Sequence, residues 1–201
     1  TVAGTALTLD PTVIGVVSSF DLARFDFRGK ELYRTVIIVP LIIPGVILGI
    51  SLLIYCQNLL NMTVGFVTVV LTHTVYGLPF VVLPVTARLY GFDESLEEAA
   101  RDLGADPVTT FREITLPVIA PAVLAGALFV WIRSFEDFIR AYFTKGVMDV
   151  LTTTMFGMIK HGVSTKLNAI STFIIALIGV ILVVATSVGS VSEFVGGGGD
   201  Q

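Results

Sequence analysis

The chain has 201 residues, of which 54% are hydrophobic and only 14% are charged, and its mean hydropathy is +0.90. A soluble globular domain has about 25% charged residues, so this composition excludes an ordinary soluble enzyme and a disordered chain. The net charge of -4 excludes a basic nucleic-acid binder, and the single cysteine, Cys56, excludes a disulfide framework. The sequence therefore predicts an all-α, polytopic helical bundle in a lipid bilayer.

The first element is an apolar stretch at residues 2–20, which is long enough to cross a bilayer but holds Asp10 and Pro11 at its centre. A carboxylate at mid-membrane costs roughly 2.5–3.5 kcal/mol on insertion scales, and proline removes a backbone donor. We therefore expect a helix that is broken or begins at Asp10, with Pro11 in its first turn. We include this stretch as a fifth span.

Four further spans follow from uncharged runs, because a spanning helix needs about 20 mostly apolar residues. Residues 36–87 contain no charged side chain and are long enough for two spans, with a polar turn at 57–63 between them. Each of these two spans contains two prolines, which are expected to break it. The four spans are predicted at 36–56, 64–87, 116–138 and 167–190, and all five belong to one domain covering 1–201.

The distribution of lysine and arginine predicts the orientation. With five spans, the loops 21–35 and 88–115 lie on one side and hold seven basic residues, against four on the other side. We therefore expect both loops in the cytoplasm. The uncharged stretch 150–159 is too short to cross the bilayer and is expected to form an interfacial helix or a re-entrant segment facing outside.

The loop at residues 88–117 carries the most specific pattern in the chain. Four apolar residues at helical spacing predict a short amphipathic helix: Leu96, Ala99, Ala100 and Leu103. The opposite, polar face is predicted to hold Glu97, Glu98, Arg101 and Asp102. An acidic face is unsuited to anionic lipid, and alanine lets another backbone approach closely, so we expect a docking surface for a cytoplasmic protein rather than a helix lying on the bilayer.

The ends of this helix are also signalled in the sequence. Either Ser95 or Asp93 is expected to cap its N-terminus. Gly104 is expected to end it in a left-handed conformation, and Asp106 followed by Pro107 predicts the start of a second short helix. The loop is therefore predicted to form a helix-turn-helix elbow.

The spacing of Glu98, Ala99 and Ala100, then Gly104, then Ile-x-Leu-Pro at 114–117 resembles the EAA loop of ABC importer permeases. Over about residues 20–190 the chain is similar to the permease subunits of spermidine/putrescine-type importers. The similar segments are 22–32, 40–53 and 134–138. The resemblance implies a core of five spans preceded by one more, and we expect that first span to be missing here.

The resemblance also implies how the elbow, at about residues 93–116, is used. It would be a coupling helix that enters a groove on a cytoplasmic ATP-binding-cassette ATPase. Glu98 would pair with a basic residue of the ATPase, Ala99 and Ala100 would pack in the groove, and Gly104 would turn the chain. A second permease subunit and an extracytoplasmic solute-binding protein are the other implied partners, in the inner membrane, and transport would occur by alternating access.

The sequence holds no motif with which this chain could hydrolyse ATP itself. Gly29-Lys30 is its only Gly-Lys pair, and Arg24 stands where a phosphate-binding loop needs glycine. ATP hydrolysis is therefore expected on a partner subunit. We predict no catalytic residue, cofactor or metal site in the chain, and no nucleic-acid partner.

Residues 133–140 place four charges in or at the edge of the fourth span: Arg133, Glu136, Asp137 and Arg140. An ionisable residue at membrane depth is a candidate functional residue. Glu136 and Asp137 can bind an ammonium-bearing solute, or the four charges can neutralise each other as i,i+4 pairs, Glu136 with Arg140 and Arg133 with Asp137. The resemblance favours Asp137 as a determinant of cation selectivity.

Other interpretations of the sequence stay open. Within the same class, the solute is ferric iron, thiamine, sulfate or another compound instead of a polyamine. From a different class, the chain is a secondary transporter or channel without an ATPase, for which inverted repeats are expected, and the sequence shows none. A third interpretation is a membrane scaffold that transports nothing, or a partial and inactive permease.

Overall fold

The computed structural model describes residues 2–160, 162 and 165–187, with side chains from residue 8 to residue 183. All regular structure in this part of the chain is helical, which confirms the all-α prediction. The α-helices are α1 (Val2–Arg24), α2 (Lys30–Ile42), α3 (Gly45–Ile54), α4 (Phe66–Tyr90), α5 (Ser95–Asp102), α6 (Pro107–Thr110), α7 (Leu116–Glu136), α8 (Ile139–Thr144), α9 (Leu151–Lys160) and α10 (Thr165–Ser187). Two π-helical turns, Tyr55–Leu59 and Phe111–Thr115, follow α3 and precede α7.

Three helical segments among the described residues are long and apolar enough to cross a membrane: Phe66–Tyr90, Pro107–Glu136 and Thr165–Val183. They overlap the spans predicted at 64–87, 116–138 and 167–190, although residues 188–190 lie outside the described residues. The short helix α9 lies in the stretch that was predicted to be too short to span. The count of five spans stays a prediction.

The span predicted at 36–56 is not one continuous helix. Helix α2 ends at Ile42, and Ile43 and Pro44 both adopt extended backbone conformations before α3 begins at Gly45. Proline disfavours the helical conformation of the residue before it, which explains the break at Ile43. The segments Lys30–Ile42 and Gly45–Leu59 form a bent pair, which is either one broken span or a re-entrant loop.

Helix α1 continues through Asp10 and Pro11, so the expectation that it is broken or begins at Asp10 is wrong. Asp10 is exposed, whereas Pro11 is fully buried. A Cβ built at Gly77 of α4 would lie 3.3 Å from the Cβ of Pro11, so the proline ring packs closely on α4. This packing offsets the backbone hydrogen bond that Pro11 cannot donate.

Helix α4 is also continuous, through Pro79 and Pro84, and the breaks expected in this span are not formed. Pro79 is fully buried. The continuous helix matters for packing because three residues of α4 stand in the main apolar core of their unit. That core consists of Val81, Val85, Leu89, Ile119 and Val130.

The chain divides into two compact units, one of Thr1–Ile43 with His73–Trp131 and one of Pro44–Thr72 with Ile132–Gln201. The elbow belongs to the first unit and the charged residues 133–140 belong to the second. The single domain over residues 1–201 stays a prediction.

Two glycines bring helices of the first unit into close contact. A Cβ at Gly15 of α1 would lie 2.7 Å from the Cβ of Val81 on α4. A Cβ at Gly126 of α7 would lie 3.0 Å from the Cα of Val81 and 3.0 Å from the carbonyl oxygen of Phe80. Because these neighbours include backbone atoms of α4, no space remains between α4 and α7 at Gly126 for a side chain.

Replacing Gly126 with alanine is therefore expected to lower the free energy of unfolding by about 1–3 kcal/mol, the usual cost of overpacking. Gly179 of α10 is the matched control, because a Cβ there would meet no atom within 4 Å. Gly179→Ala is expected to be neutral or stabilising by up to about 1 kcal/mol. Thermal unfolding of the purified variants in detergent measures both. Equal stability of the two variants would show that α7 can shift away from α4 without cost.

In the second unit, α8 packs closely on α3. A Cβ at Gly49 would lie 3.0 Å from the ring of Phe143 and 3.3 Å from the Cα of Arg140. The Thr68 hydroxyl donates a hydrogen bond to the carbonyl oxygen of Thr144 at 2.7 Å. These contacts fix the position of α8 and of the charged residues at its start.

Candidate functional site

The elbow is formed by α5, a tight turn and α6. The N-cap position of α5 is Glu94, whose side chain makes no capping hydrogen bond, so neither Ser95 nor Asp93 occupies the cap position that was expected. The Asp93 carboxylate, one residue earlier, accepts a hydrogen bond from the Ser95 N–H at 3.0 Å. Hydrogen bonds from the Ser95 hydroxyl and N–H hold the pKa of Asp93 below its ordinary value. Gly104 ends the helix with φ at 91°, as predicted.

The turn after α5 is a Schellman motif. The N–H of Gly104 bonds to the carbonyl of Arg101 at 2.9 Å, and the N–H of Ala105 bonds to the carbonyl of Ala100 at 3.0 Å. Asp106 caps α6 as predicted, accepting the N–H of Thr109 at 2.8 Å. This bond holds the pKa of Asp106 below its ordinary value. The turn between α5 and α6 is therefore fixed by backbone hydrogen bonds at its start and by the Asp106 side-chain cap at its end.

The outward face of the elbow is apolar and exposed. Leu103 is 90% exposed, and Leu96 and Ala99 are exposed beside it. Ala100 is half-buried, and Glu98 is exposed with no ion pair among the described residues. Exposed apolar residues grouped together indicate an interaction surface. We call this surface, made by Leu96, Glu98, Ala99 and Leu103, the outward face of α5.

The sequence predicted that Glu97 and Glu98 share the polar face of α5, but Glu97 does not share the solvent-exposed surface with Glu98. Its side chain is only 14% exposed and accepts hydrogen bonds from Nη2 of Arg24 at 3.1 Å and from Oγ1 of Thr115 at 2.5 Å. The i,i+4 residue Arg101 approaches its other carboxylate oxygen at 3.6 Å. Glu97 therefore points inward because its partners lie on α1 and on the π-helical turn before α7.

Arg24 joins several of the side chains beneath the elbow. It forms a second ion pair with Glu94, and its guanidinium lies 5.3 Å from the centre of the Phe92 ring. A cavity of about 330 Å³ opens beside it, lined by Phe20, Arg24, Phe25, Glu94, Glu97, Glu98 and Arg101. Sequence reasoning missed Arg24 and Glu97, because residues 73 positions apart leave no local pattern.

The two carboxylates of the second candidate site have different surroundings. Asp137 is 4% exposed, and its Oδ2 accepts a hydrogen bond from Nε of Arg140 at 2.9 Å. Glu136 pairs with Arg133 at 2.7 Å near the surface. The predicted i,i+4 pair of Glu136 with Arg140 is wrong, since Glu136 pairs with Arg133 and Arg140 with Asp137, both at i,i+3. The predicted pair of Arg133 with Asp137 stays a prediction. Helix α7 ends at Glu136 and the chain resumes as α8 at Ile139.

Residues 12–193 match the model of the family described as "Binding-protein-dependent transport system inner membrane component". The chain is 36% identical over 190 residues to the spermidine/putrescine transport system permease protein PotC of Shigella flexneri, covering 94% of this chain and 71% of PotC. It is 34% identical over 188 residues to the putrescine transport system permease protein PotI of Escherichia coli K12, covering 90% of this chain and 66% of PotI.

The relatives also include a permease that is named for a different solute. The molybdate/tungstate transport system permease protein WtpB of Pyrococcus abyssi is 36% identical over 146 residues, covering 70% of this chain and 58% of WtpB. Among solved structures, an inward-facing MetNI methionine ABC transporter matches with a TM-score of 0.65 at 19% identity, covering 93% of this chain and 88% of that chain. This likeness shows that the fold is that of an ABC transporter permease.

The helical fold and the family match thus identify an integral membrane transport subunit. The chain belongs to the family of inner-membrane components of binding-protein-dependent transport systems. It is a permease subunit of an ABC importer and a multi-pass protein of the inner membrane.

Proposed function

We propose that this permease moves a polyamine of the spermidine or putrescine type, by alternating access driven by ATP hydrolysis on partner ATPase subunits. The exposed outward face of α5 carries this proposal. Its apolar surface lies next to Glu98, which forms no ion pair within the part of the chain that the structure describes, and this combination fits a docking partner. The names of PotC and PotI support the solute class. A second permease subunit and an extracytoplasmic solute-binding protein complete the proposed complex.

The elbow would face the cytoplasm in a topology of about five spans. Loops 21–35 and 88–115 hold the larger share of basic residues, and such loops remain on the cytoplasmic side. In this orientation the elbow meets a cytoplasmic ATPase, and α9 faces the opposite side.

Each residue of the EAA pattern has a proposed role in docking. Glu98 pairs with a basic residue of the ATPase, and Ala99 packs in the groove with the half-buried Ala100 beneath it. Gly104 turns the chain so that α6 returns to the membrane. Two features support these roles: Glu98 has no ion pair among the described residues, and Gly104 adopts a positive φ that other residues rarely take.

Asp137 and Glu136 are the proposed contacts on the solute path. An ammonium group that reaches Asp137 must compete with the Arg140 guanidinium, which bonds to the carboxylate at 2.9 Å. Glu136 is exposed and forms an ion pair with Arg133, so an ammonium group must compete with Arg133 there. Rings of Phe138 and Tyr142, with centroids 5.6 Å apart, lie next in the chain and can add cation–π contacts.

The test is ATP-dependent uptake by proteoliposomes holding this permease with the ATPase, second permease and solute-binding protein of the same organism. Labelled putrescine and spermidine are expected to accumulate only with ATP and all four components. Uptake that continues without the ATPase would contradict the proposal and favour a channel or secondary transporter. Molybdate is the second solute to measure, because the WtpB relative transports an oxyanion by its name, and preferential molybdate uptake would replace the polyamine assignment.

A further inference from the structure

The inner face of α5 is connected to two other helical segments through one carboxylate. Glu97 accepts hydrogen bonds from Arg24, the last residue of α1, and from the buried Thr115, the last residue of the π-helical turn that leads into α7. These partners are 73 and 18 positions away in the chain. A displacement of α5 therefore acts on the end of α1 and the start of α7 at the same point.

Further contacts hold this junction together. The Arg24 guanidinium also pairs with Glu94 and lies over the Phe92 ring. The Phe20 ring of α1 and the Phe111 ring of the π-helical turn have centroids 5.7 Å apart. The junction therefore combines charged, hydrogen-bonded and aromatic contacts, and Arg24 and Glu97 are each mostly shielded from water.

We propose that Arg24, Glu97 and Thr115 form a joint that makes the elbow, the end of α1 and the start of α7 move as one body. The joint would transmit the displacement of α5 by the ATPase to the spanning helices. This inference rests on the proposed function of the elbow and extends it, because docking and transmission are assigned to different residues of the same helix. The three residues are assigned as positioning residues, because their contacts join α5 to the end of α1 and the start of α7.

The separation of the two faces makes the inference testable. Glu97 and Glu98 are neighbours in sequence, but the Glu97 side chain is only 14% exposed and bonds to Arg24, whereas Glu98 is exposed on the outward face. A change at Glu97 is therefore expected to leave ATPase docking intact and to lower the amount of solute moved for each ATP hydrolysed. A change on the outward face is expected to lower docking itself.

The experiment uses the full complex in proteoliposomes and compares Glu97→Gln, Thr115→Val and the double variant. Each single variant is expected to lower solute uptake per ATP about five-fold, within the range of coupling changes seen for networked residues, with unchanged recovery of the ATPase on the tagged permease. The double variant is expected to be no worse than the more severe single variant, because both remove one shared interaction. Glu113→Gln is the matched control: Glu113 lies on the same π-helical turn and is exposed, and its coupling is expected to be unchanged.

Three results separate the inference from the proposed function. If the unaltered complex shows no ATP-driven uptake, or if no ATPase is recovered with the permease, the proposed function is overturned, and the joint with it. Normal coupling in both single variants would overturn the joint alone. Loss of ATPase recovery in Glu97→Gln would also overturn it, by showing that Glu97 belongs to the docking surface.

A distance measurement keeps the inference falsifiable if the variants fail to assemble. Spin labels at Val17→Cys on α1 and Asp102→Cys on α5 occupy exposed positions, and the native Cys56 is buried. In the complex with an unaltered joint, the distance between the labels is expected to be the same without nucleotide and with trapped ATP. A shift of several ångströms between the two states would show that α5 moves independently of α1.

Discussion

Replacing Ala99 with tryptophan is expected to detach the ATPase from this permease and to abolish ATP-driven uptake, while the permease itself still folds. Ala99 is exposed on the outward face of α5, so the indole meets no atom of the protein's own core. In the complex the indole would separate α5 from the ATPase groove. A loss of at least about 2 kcal/mol of binding free energy, or roughly 30-fold in affinity, is typical for the centre of an interface.

The measurement is the amount of ATPase recovered with the tagged permease, together with uptake in proteoliposomes. Leu32→Trp is the control for bulk, because Leu32 is also exposed but lies on α2. Glu98→Lys and Glu113→Lys make a second matched pair, in which only the change at Glu98 is expected to weaken docking. Intact docking and uptake in both Ala99→Trp and Glu98→Lys would show that α5 is not the coupling helix.

The sequence was informative about the elbow because its signals are local. The Asp106 cap forms across three residues, and the turn at Gly104 forms across five. Spacing alone showed that α5 has two faces, but it could not show which face is buried. In most surface helices the apolar face is inside, whereas in α5 Leu96, Ala99 and Leu103 are exposed and the polar residue Glu97 is shielded from water. Its hydrogen bond to Arg24, 73 positions away, holds Glu97 inside.

Helix continuity was harder to predict, because tertiary packing overrides the local cost of proline. Pro11 stays within α1 because its ring packs against Gly77 of α4. At Pro44 the helix is interrupted instead: α2 ends at Ile42, and Ile43 and Pro44 take extended conformations before α3 begins. The residues alone gave no reason to treat Pro11 and Pro44 differently.

The pairing of the charged residues at 133–140 was also hard to predict, because it depends on where α7 ends and no sequence signal marks that end. The predicted i,i+4 pairs assumed one continuous helix through Arg140. The helix instead ends at Glu136, and neither glycine nor proline marks this end in the sequence. Once α7 ends there, Asp137 lies two residues before α8 begins, and its carboxylate accepts a hydrogen bond from Arg140 three residues later.

Asp137→Asn is expected to lower the free energy of unfolding by about 3–5 kcal/mol, the usual cost of removing one partner of a buried ion pair. The change takes a carboxylate away from the Arg140 guanidinium, and both residues are buried. Glu136→Gln is the control for stability, because the Glu136–Arg133 pair is exposed to water, where an ion pair contributes about 0–1 kcal/mol. Thermal unfolding in detergent measures the difference.

The double variant Asp137→Asn with Arg140→Gln distinguishes a structural role from a solute contact. It removes both charges, so it is expected to recover most of the stability lost in Asp137→Asn. If Asp137 binds the ammonium group of the solute, uptake stays low in the double variant although the protein is stable. Recovery of both stability and polyamine uptake would show that the carboxylate serves only to hold Arg140 on α8, and Asp137 would then be removed from the solute path.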